Sequence, residues 1–508
     1  MTAVPMILDA PSGCPVFDVS TSYTDKTRRI LLIVFFLALV LPIQPELAGQ
    51  RMDPYRFLLL VLFLPFSVAI FRRRAGQITI IDTMMGCYAF WIVVTLVFHH
   101  GMVRFAYASV WAIMLLGGYM TGRLLVRSEQ DYLRFIRYFL TVLLILLPFA
   151  IYEFLTGDMI ISRVLELKIP VPIYEFFTGD IIINRELEIK IPTVEKFHDI
   201  RLGFSRVQVF LPHSILFGFF CSVCFGNVIY IYRRHFFGRL VRLALVIGMT
   251  GMALSSAPLL SIALQSMMAG WDKITRGRWM MLFAGIGSIY VFLSVVSDRG
   301  PIILLIDNLT FNPSTAWWRV HIWDYGVQNV MDNPLMGLGL NDWARPDWLA
   351  DTVDNFWLLT AMQAGLPALA FLVIALVIHV VRIVKVEGLD EQTRDIRTGY
   401  LVVLAGTVFT LSTVHVWDAM AVFIMFFIGA GSFLFTSLPE DQKRQAQDIQ
   451  AIRANCRKIQ PEVVRAPVIY TRVHLEQHHT RFVEKAGTRK ALSRHIRSGD
   501  EVRNPSNS

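Results

Sequence analysis

Apolar runs long enough to cross a bilayer recur along most of this chain, and no other feature restricts its fold as strongly. A membrane helix needs roughly 20 predominantly apolar residues. Hydropathy marks twelve such blocks, at 30–46, 56–71, 80–98, 104–125, 134–154, 207–232, 238–254, 256–271, 279–296, 356–381, 398–415 and 419–437. Charged residues are only 17% of the chain, where a soluble domain carries about 25%. That excludes a soluble enzyme and predicts an all-α polytopic membrane protein. Residues 1–29 are polar and lack the apolar core and cleavage site of a signal peptide, so the first span is expected to start insertion itself.

Charge asymmetry orients the spans, because short cytoplasmic loops collect Lys and Arg. With the N-terminus inside, the inner loops hold Arg72–Arg74, then Arg123, Arg127, Arg134 and Arg137, then Arg233, Arg234, Arg239 and Arg242. Lys273, Arg276 and Arg278 follow, then Arg382, Lys385, Arg394 and Arg397. The short outer connections hold Arg51, Arg56 and Arg104, and nothing basic at 255–256 or 416–418. All five inner loops agree on one orientation, with both termini cytoplasmic. The agreement requires a break between spans at Ser255–Pro258.

Two outer segments are long, 155–206 and 297–355, and loops of that length are usually functional or disordered. The first holds most of a tandem repeat. Residues 151–172 read IYEFLTGDMIISRVLELKIPVP and residues 173–194 read IYEFFTGDIIINRELEIKIPTV. Two copies are too few for a solenoid, so a duplication tolerated in an exposed loop is the simpler reading. The tail, 438–508, has fourteen Lys/Arg against eight Asp/Glu and reads as a solvated basic segment or as a site for a partner or anionic lipid. Cys221 and Cys224 form a CxxC inside an apolar span, which suits small packing residues better than redox or metal chemistry.

Polar residues with chemical potential gather at the ends of the two long loops. Six of the eleven Trp fall between 317 and 357. They suit an interfacial belt, and aromatic faces also stack on sugar rings. Residues 316–331 have the spacing of an amphipathic helix, ended by Pro334, Gly337 and Gly339. This loop has eight Asp, no Lys and three Arg (Arg299, Arg319 and Arg345). A guanidinium offers a charged planar fork for phosphate oxygens, although one at a membrane surface also reaches lipid headgroups. No D-x-D-x-D-G loop supports a calcium site. The first long loop ends in Arg201 and Arg206 at the mouth of a span, with His213 about two turns inside it. An ionisable residue in a span is a functional candidate by default, and a histidine near a helix mouth is also a local cap.

At these residues the chain resembles the O-antigen ligase and polymerase superfamily, in the version common among alphaproteobacteria. The matching stretches are Arg206–Val–Gln–Val–Phe–Leu–Pro–His213–Ser–Ile–Leu–Phe–Gly218, the Ser255–Leu260 turn, Arg319 through Gly339, Trp343–Trp348 and Val353–Leu358. The resemblance spans about residues 30–437. It implies a GT-C-like fold and a glycosyltransferase that moves a glycan from undecaprenyl pyrophosphate to a sugar hydroxyl. The acceptor is the lipid A core or a growing glycan at the periplasmic face of a bacterial inner membrane, and neither metal, nucleotide sugar nor other cofactor is needed. By motif position, Arg206 and Arg319 grip the pyrophosphate and Asp354 is the candidate base. Arg201, Arg345, His213, His321, Trp323 and Asn355 are expected to contact substrate. The chain departs from the ligases in carrying Asp354–Asn355 where they commonly have His-Asn, and Ser255–Ser256 where Ser-Arg is frequent, so polymerase and ligase reactions both stand.

Two other classes remain from the residues alone. A polysaccharide transporter or flippase would show related halves and ionisable groups near the midplane. Here no half-to-half similarity is visible, and the spans hold few such groups besides Asp82, His213, His379 and His415. A non-catalytic assembly partner of a surface-glycan pathway is the other. Nothing suggests a nucleic-acid partner.

Overall fold

The computed structural model describes residues 19–47, 50–160, 199–275, 277–296 and 313–436. Of two compact units, Met1–Pro15 with Lys443–Ser508 lies outside these residues, and Val16–Gln442 holds all that follows. Residues 161–194 of the tandem repeat, Arg299 and the basic tail also lie outside them.

This is an all-α, multi-pass membrane protein. Among the described residues, seven helical segments are long and apolar enough to cross a bilayer: Pro54–Phe71, Ile80–His100, Met102–Leu125, Glu129–Thr156, Ser214–Ile231, Phe356–Val384 and Asp418–Thr436. The other predicted spans are helical too, as α1 (Val19–Val40), α8 (Phe236–Met252), α9 (Ser256–Thr275), α10 (Trp279–Val296) and α13 (Glu391–Leu411). Between these run α2 (Pro54–Phe71), α3 (Ile80–His100), α4 (Phe105–Leu125), α5 (Glu129–Thr156), α6 (Ser214–Ser222), α7 (Phe225–Ile231), α11 (Pro313–Asp332), α12 (Phe356–Val384) and α14 (Asp418–Ala430). Sheet among the described residues is two hairpins of two-residue strands, Glu46–Leu47 with Gln50–Arg51 and Ile200–Arg201 with Phe204–Ser205.

Local chemistry sets the helix ends. Thr79 and Asp82 form a reciprocal capping box at the start of α3, satisfying two backbone N–H groups. Ser128 caps α5, which ends on the left-handed Gly157. The core is rich in phenylalanine: Phe35, Phe36, Phe135, Phe139, Phe220, Phe423 and Phe426 interlock with centroids 4.7 to 6.4 Å apart. Beside it α4 and α14 touch backbone to backbone. A Cβ on Gly122 would lie 2.0 Å from the Phe426 carbonyl, and one on Gly429 2.0 Å from that of Tyr119. Small residues are how membrane helices, lacking a hydrophobic driving force between them, gain packing contact.

The structure corrects one predicted span. The block at 207–232 is helical only from Ser214, and it breaks again at Val223–Cys224. Val207–Leu211 is buried at 0–4% exposure without being helix. Its backbone is satisfied from elsewhere. The buried Glu153 carboxylate accepts from the N–H groups of Gln208 and Val209, both at 3.0 Å, and Val207 N–H donates to the Met252 carbonyl at 3.1 Å. Pro212 has no N–H to give. Hydropathy cannot separate a buried loop from a helix, since both are apolar. Cys221 and Cys224 are fully buried in this region, as packing residues would be.

Candidate functional site

The end of the first long loop is a tight turn that presents its arginines differently. Arg206 is buried (2% exposed). Its Nε donates to the Ala253 carbonyl at 3.0 Å, and a terminal nitrogen donates to Asp199 Oδ2 at 2.6 Å. Burial and the neighbouring Arg201 press its pKa below the ordinary value, against the pull of Asp199. Arg201 is exposed, reaching the Leu254 carbonyl at 3.3 Å and lying 3.6 Å from the same Asp199 oxygen. Both arginines therefore share one carboxylate beside the Met252–Ser256 turn. His213 is not inside a helix but caps one: its Nδ1 accepts from Ile215 N–H at 3.1 Å, at the start of α6. Burial, with Arg206 next, lowers its pKa to about 4, so the ring is neutral at pH 7.

The second long loop is held by a break in α12. Gly365 has φ +77 inside the helix, followed by Leu366 and Pro367. The carbonyls freed there are taken by the Asn333–Gly339 turn and by α3. Leu338 N–H donates to Met362 O at 2.7 Å and Gly339 N–H to Gln363 O at 2.9 Å. Leu366 N–H returns a bond to Pro334 O at 2.8 Å, and Trp91 Nε1 donates to Ala364 O at 3.0 Å. A Cβ on Gly365 would sit 2.1 Å from Leu335 O, and one on Gly337 2.5 Å from Met362 O. The Asn-Pro-Leu-x-Gly-x-Gly motif is thus a latch. Non-helical backbone at such depth is tolerated where protein buries it.

That latch sets α11 against the start of α12. Arg319, on α11, lies with Nε 3.7 Å from Asp354 Oδ2, the two side chains 30% and 49% exposed. The gap is too long for a hydrogen bond. Asn355 is spent on structure, its Oδ1 accepting from the N–H groups of Trp357 and Leu358, both at 3.0 Å. Arg345 closes its own loop through the Leu349 and Trp343 carbonyls and Asp342, over the Trp343 ring. His321 packs edge-on to Trp348 at 5.3 Å, with Trp318 against the same indole at 5.7 Å. Trp323 is half exposed. Sequence reasoning missed buried Asn329, whose amide bonds Tyr325 and Ala344 and so ties the loop back onto α11.

A row of rings joins the two groups. His213 lies 6.4 Å from Trp417, Trp417 stacks on His415 at 5.7 Å, and His415 stacks on Phe356 at 6.4 Å. Phe356 is two residues from Asp354. Beside this row is a cavity of about 220 Å³ lined by Arg56, Tyr88, Tyr107, Gln363, His415 and Asp418 among others. Arg56 and Arg51 both pair with Asp418 (2.6 and 3.4 Å), and both also pair with Asp53. The Nδ1 of His415 has no hydrogen-bond partner among the described residues, and burial lowers its pKa to about 4. The available signal for this wall was the pair Arg51 and Arg56 in a short connection between two apolar segments.

Among the described residues no group of three or more His, Cys, Asp or Glu is placed to hold a metal ion. Neither a family model nor a curated protein matches the chain.

Proposed function

We propose that this chain is a membrane glycosyltransferase of the O-antigen ligase or polymerase kind. In this reading it has twelve spans in a GT-C-like arrangement in a bacterial inner membrane, with both termini cytoplasmic. It moves a glycan from undecaprenyl pyrophosphate to a sugar hydroxyl at the periplasmic face. The observation that carries the reading is the loose Arg319–Asp354 pair, 3.7 Å apart and part-exposed, joined by the ring row to the Arg201–Arg206 group.

The chemistry follows from that looseness. A pyrophosphate leaves with its charge already spread, and positioned cations stabilise what develops as the glycosyl bond breaks. An anion reaching Arg319 takes the guanidinium from Asp354 at small cost, because a part-exposed pair at 3.7 Å makes no hydrogen bond and is worth about 1 kcal/mol or less. Asp354 is then free to accept the proton of the acceptor hydroxyl as its oxygen attacks the anomeric carbon. Arg206 sits deeper and is firmly held, so it provides a fixed positive wall. The exposed indoles around Trp348 suit the faces of sugar rings.

The test replaces the chromosomal copy with Arg319→Ala, Arg206→Ala or Asp354→Asn and sizes the surface glycans. Loss of polymer from lipid A indicates ligation, and retention of a single repeat unit indicates polymerisation. Unchanged glycans in all three variants, at normal protein level, would overturn the proposal.

A further inference from the structure

At the opposite end of the bundle from Arg319, a second concavity opens between α10, α12 and α13. It has a volume of about 1070 Å³ and is walled by Met280 and Met281 of α10, Val377 and Val381 of α12, and Leu401, Leu404, Ala405 and Val408 of α13. Met280, Val377 and Val384 are exposed, so the groove lies open at the surface of the helix bundle. The mouth differs chemically, because Arg278 and Arg397 border it. Along α13 the lining runs from Arg397 to Phe409, roughly 18 Å at about 1.5 Å per residue. That is close to the depth of one leaflet, half of about 30 Å.

The arginines set this groove apart from ordinary lipid-facing surface. Of the nearby acids, Glu391 pairs with Arg233 and Arg234, Asp395 pairs with Arg233, Asp272 accepts from the Tyr230 hydroxyl and Asp390 caps α13, while the exposed Glu387 makes no ion pair among the described residues. Arg397 donates to the Val386 carbonyl at 2.8 Å, and Arg278 is exposed. Among the described residues no carboxylate pairs with either guanidinium. Two cations at the headgroup level of an apolar, leaflet-deep groove complement one class of molecule, and basic pockets between membrane helices are known to take anionic headgroups.

We infer that this groove binds an anionic phospholipid, its acyl chains along Val377–Val384 and Leu401–Phe409 and its phosphate at Arg278 and Arg397. A polyprenyl chain whose pyrophosphate lies at Arg319 would leave these two arginines without a counter-charge. The thioethers of Met268, Met280 and Met281 are adaptable enough to follow mobile chains.

The test is native mass spectrometry of the full chain in detergent, titrated with dioleoylphosphatidylglycerol, dioleoylphosphatidylcholine or undecaprenyl phosphate. Wild type should retain phosphatidylglycerol over phosphatidylcholine by about tenfold or more. R278Q/R397Q should lose that preference and R278K/R397K should keep most of it. Ala405→Trp, which fills the groove, should lower retention without touching the arginines, and it carries the test if the double Gln variant does not fold. Equal retention of the two phospholipids by wild type would overturn the inference. So would full retention by A405W, or displacement of phosphatidylglycerol by equimolar undecaprenyl phosphate. None of these readings depends on glycan transfer.

Discussion

Two arginine–aspartate pairs at opposite ends of the bundle show how the same chemistry is put to different ends. Arg123 and Asp82 are almost fully buried (2% and 6% exposed) and 3.1 Å apart. Asp82 also accepts from the Tyr119 hydroxyl at 2.6 Å and from the capping Thr79, while Arg123 reaches the Gln77 carbonyl at 3.0 Å. Every partner is supplied by the chain, leaving no vacancy for a ligand. Arg319 and Asp354 are farther apart, part-exposed and lightly held. The first pair fixes α3 against α4; the second can trade partners.

The contrast is broken most forcefully at the buried end. Asp82→Ala strands a buried guanidinium and removes one half of the capping box, and the expected loss is about 3–5 kcal/mol, read as a lower thermal unfolding midpoint in detergent. An unshifted midpoint would remove the buried half of the comparison. Next in size is Gly365→Ala, which forces a Cβ onto the Leu335 carbonyl at a left-handed φ. It should cost about 1–3 kcal/mol and speed amide exchange at Leu338 and Gly339; slow exchange there in the variant would dismiss the latch.

Acid sharpens the other half. His213 and His415 have folded pKa values of about 4, below the ordinary histidine value of about 6.5. The unfolded chain therefore binds the extra protons first. Stability from these rings is fully present above pH 6.5 and is lost as pH falls towards 4. The unfolding midpoint should decline across that window, and less steeply in His415→Gln. A midpoint flat from pH 7 to 4 in wild type would contradict it. The smallest stability effect belongs to Arg319→Ala, under about 1 kcal/mol, although under the proposed function it abolishes surface-glycan transfer. A large drop in its unfolding midpoint would make Arg319 a structural residue like Arg123.

The bilayer made the helices legible, because a span must be apolar along its length whatever it does. Val207–Pro212 was illegible for the same reason: the carboxylate that satisfies it, Glu153, lies some 55 residues earlier. Of the site, Asn355 was readable as a polar residue opening a span, but not that the cap consumes its side-chain oxygen. The resemblance marked Arg319 through Gly339 as one stretch. Only the fold divides it into an exposed pair at Arg319 and a latch that depends on Gly365, outside the motif. The Arg56–Asp418 contact joins residues 362 positions apart, beyond what spacing conveys.

The grip of Glu153 also bears on the duplicated loop. Glu153 clasps the backbone at Gln208 and Val209 from one side, and Asp199 clasps Arg206 from the other. The stretch between these two anchors is tethered at both ends to the wall it precedes. Its length is thereby uncoupled from the position of that wall, and halving a loop changes closure entropy by only about 0.6 kcal/mol. The second copy repeats the helix-ending phrase, with Glu175 standing 22 residues after Glu153. Whichever copy is excised, the sequence keeps one IYEF phrase with its glutamate ahead of Asp199.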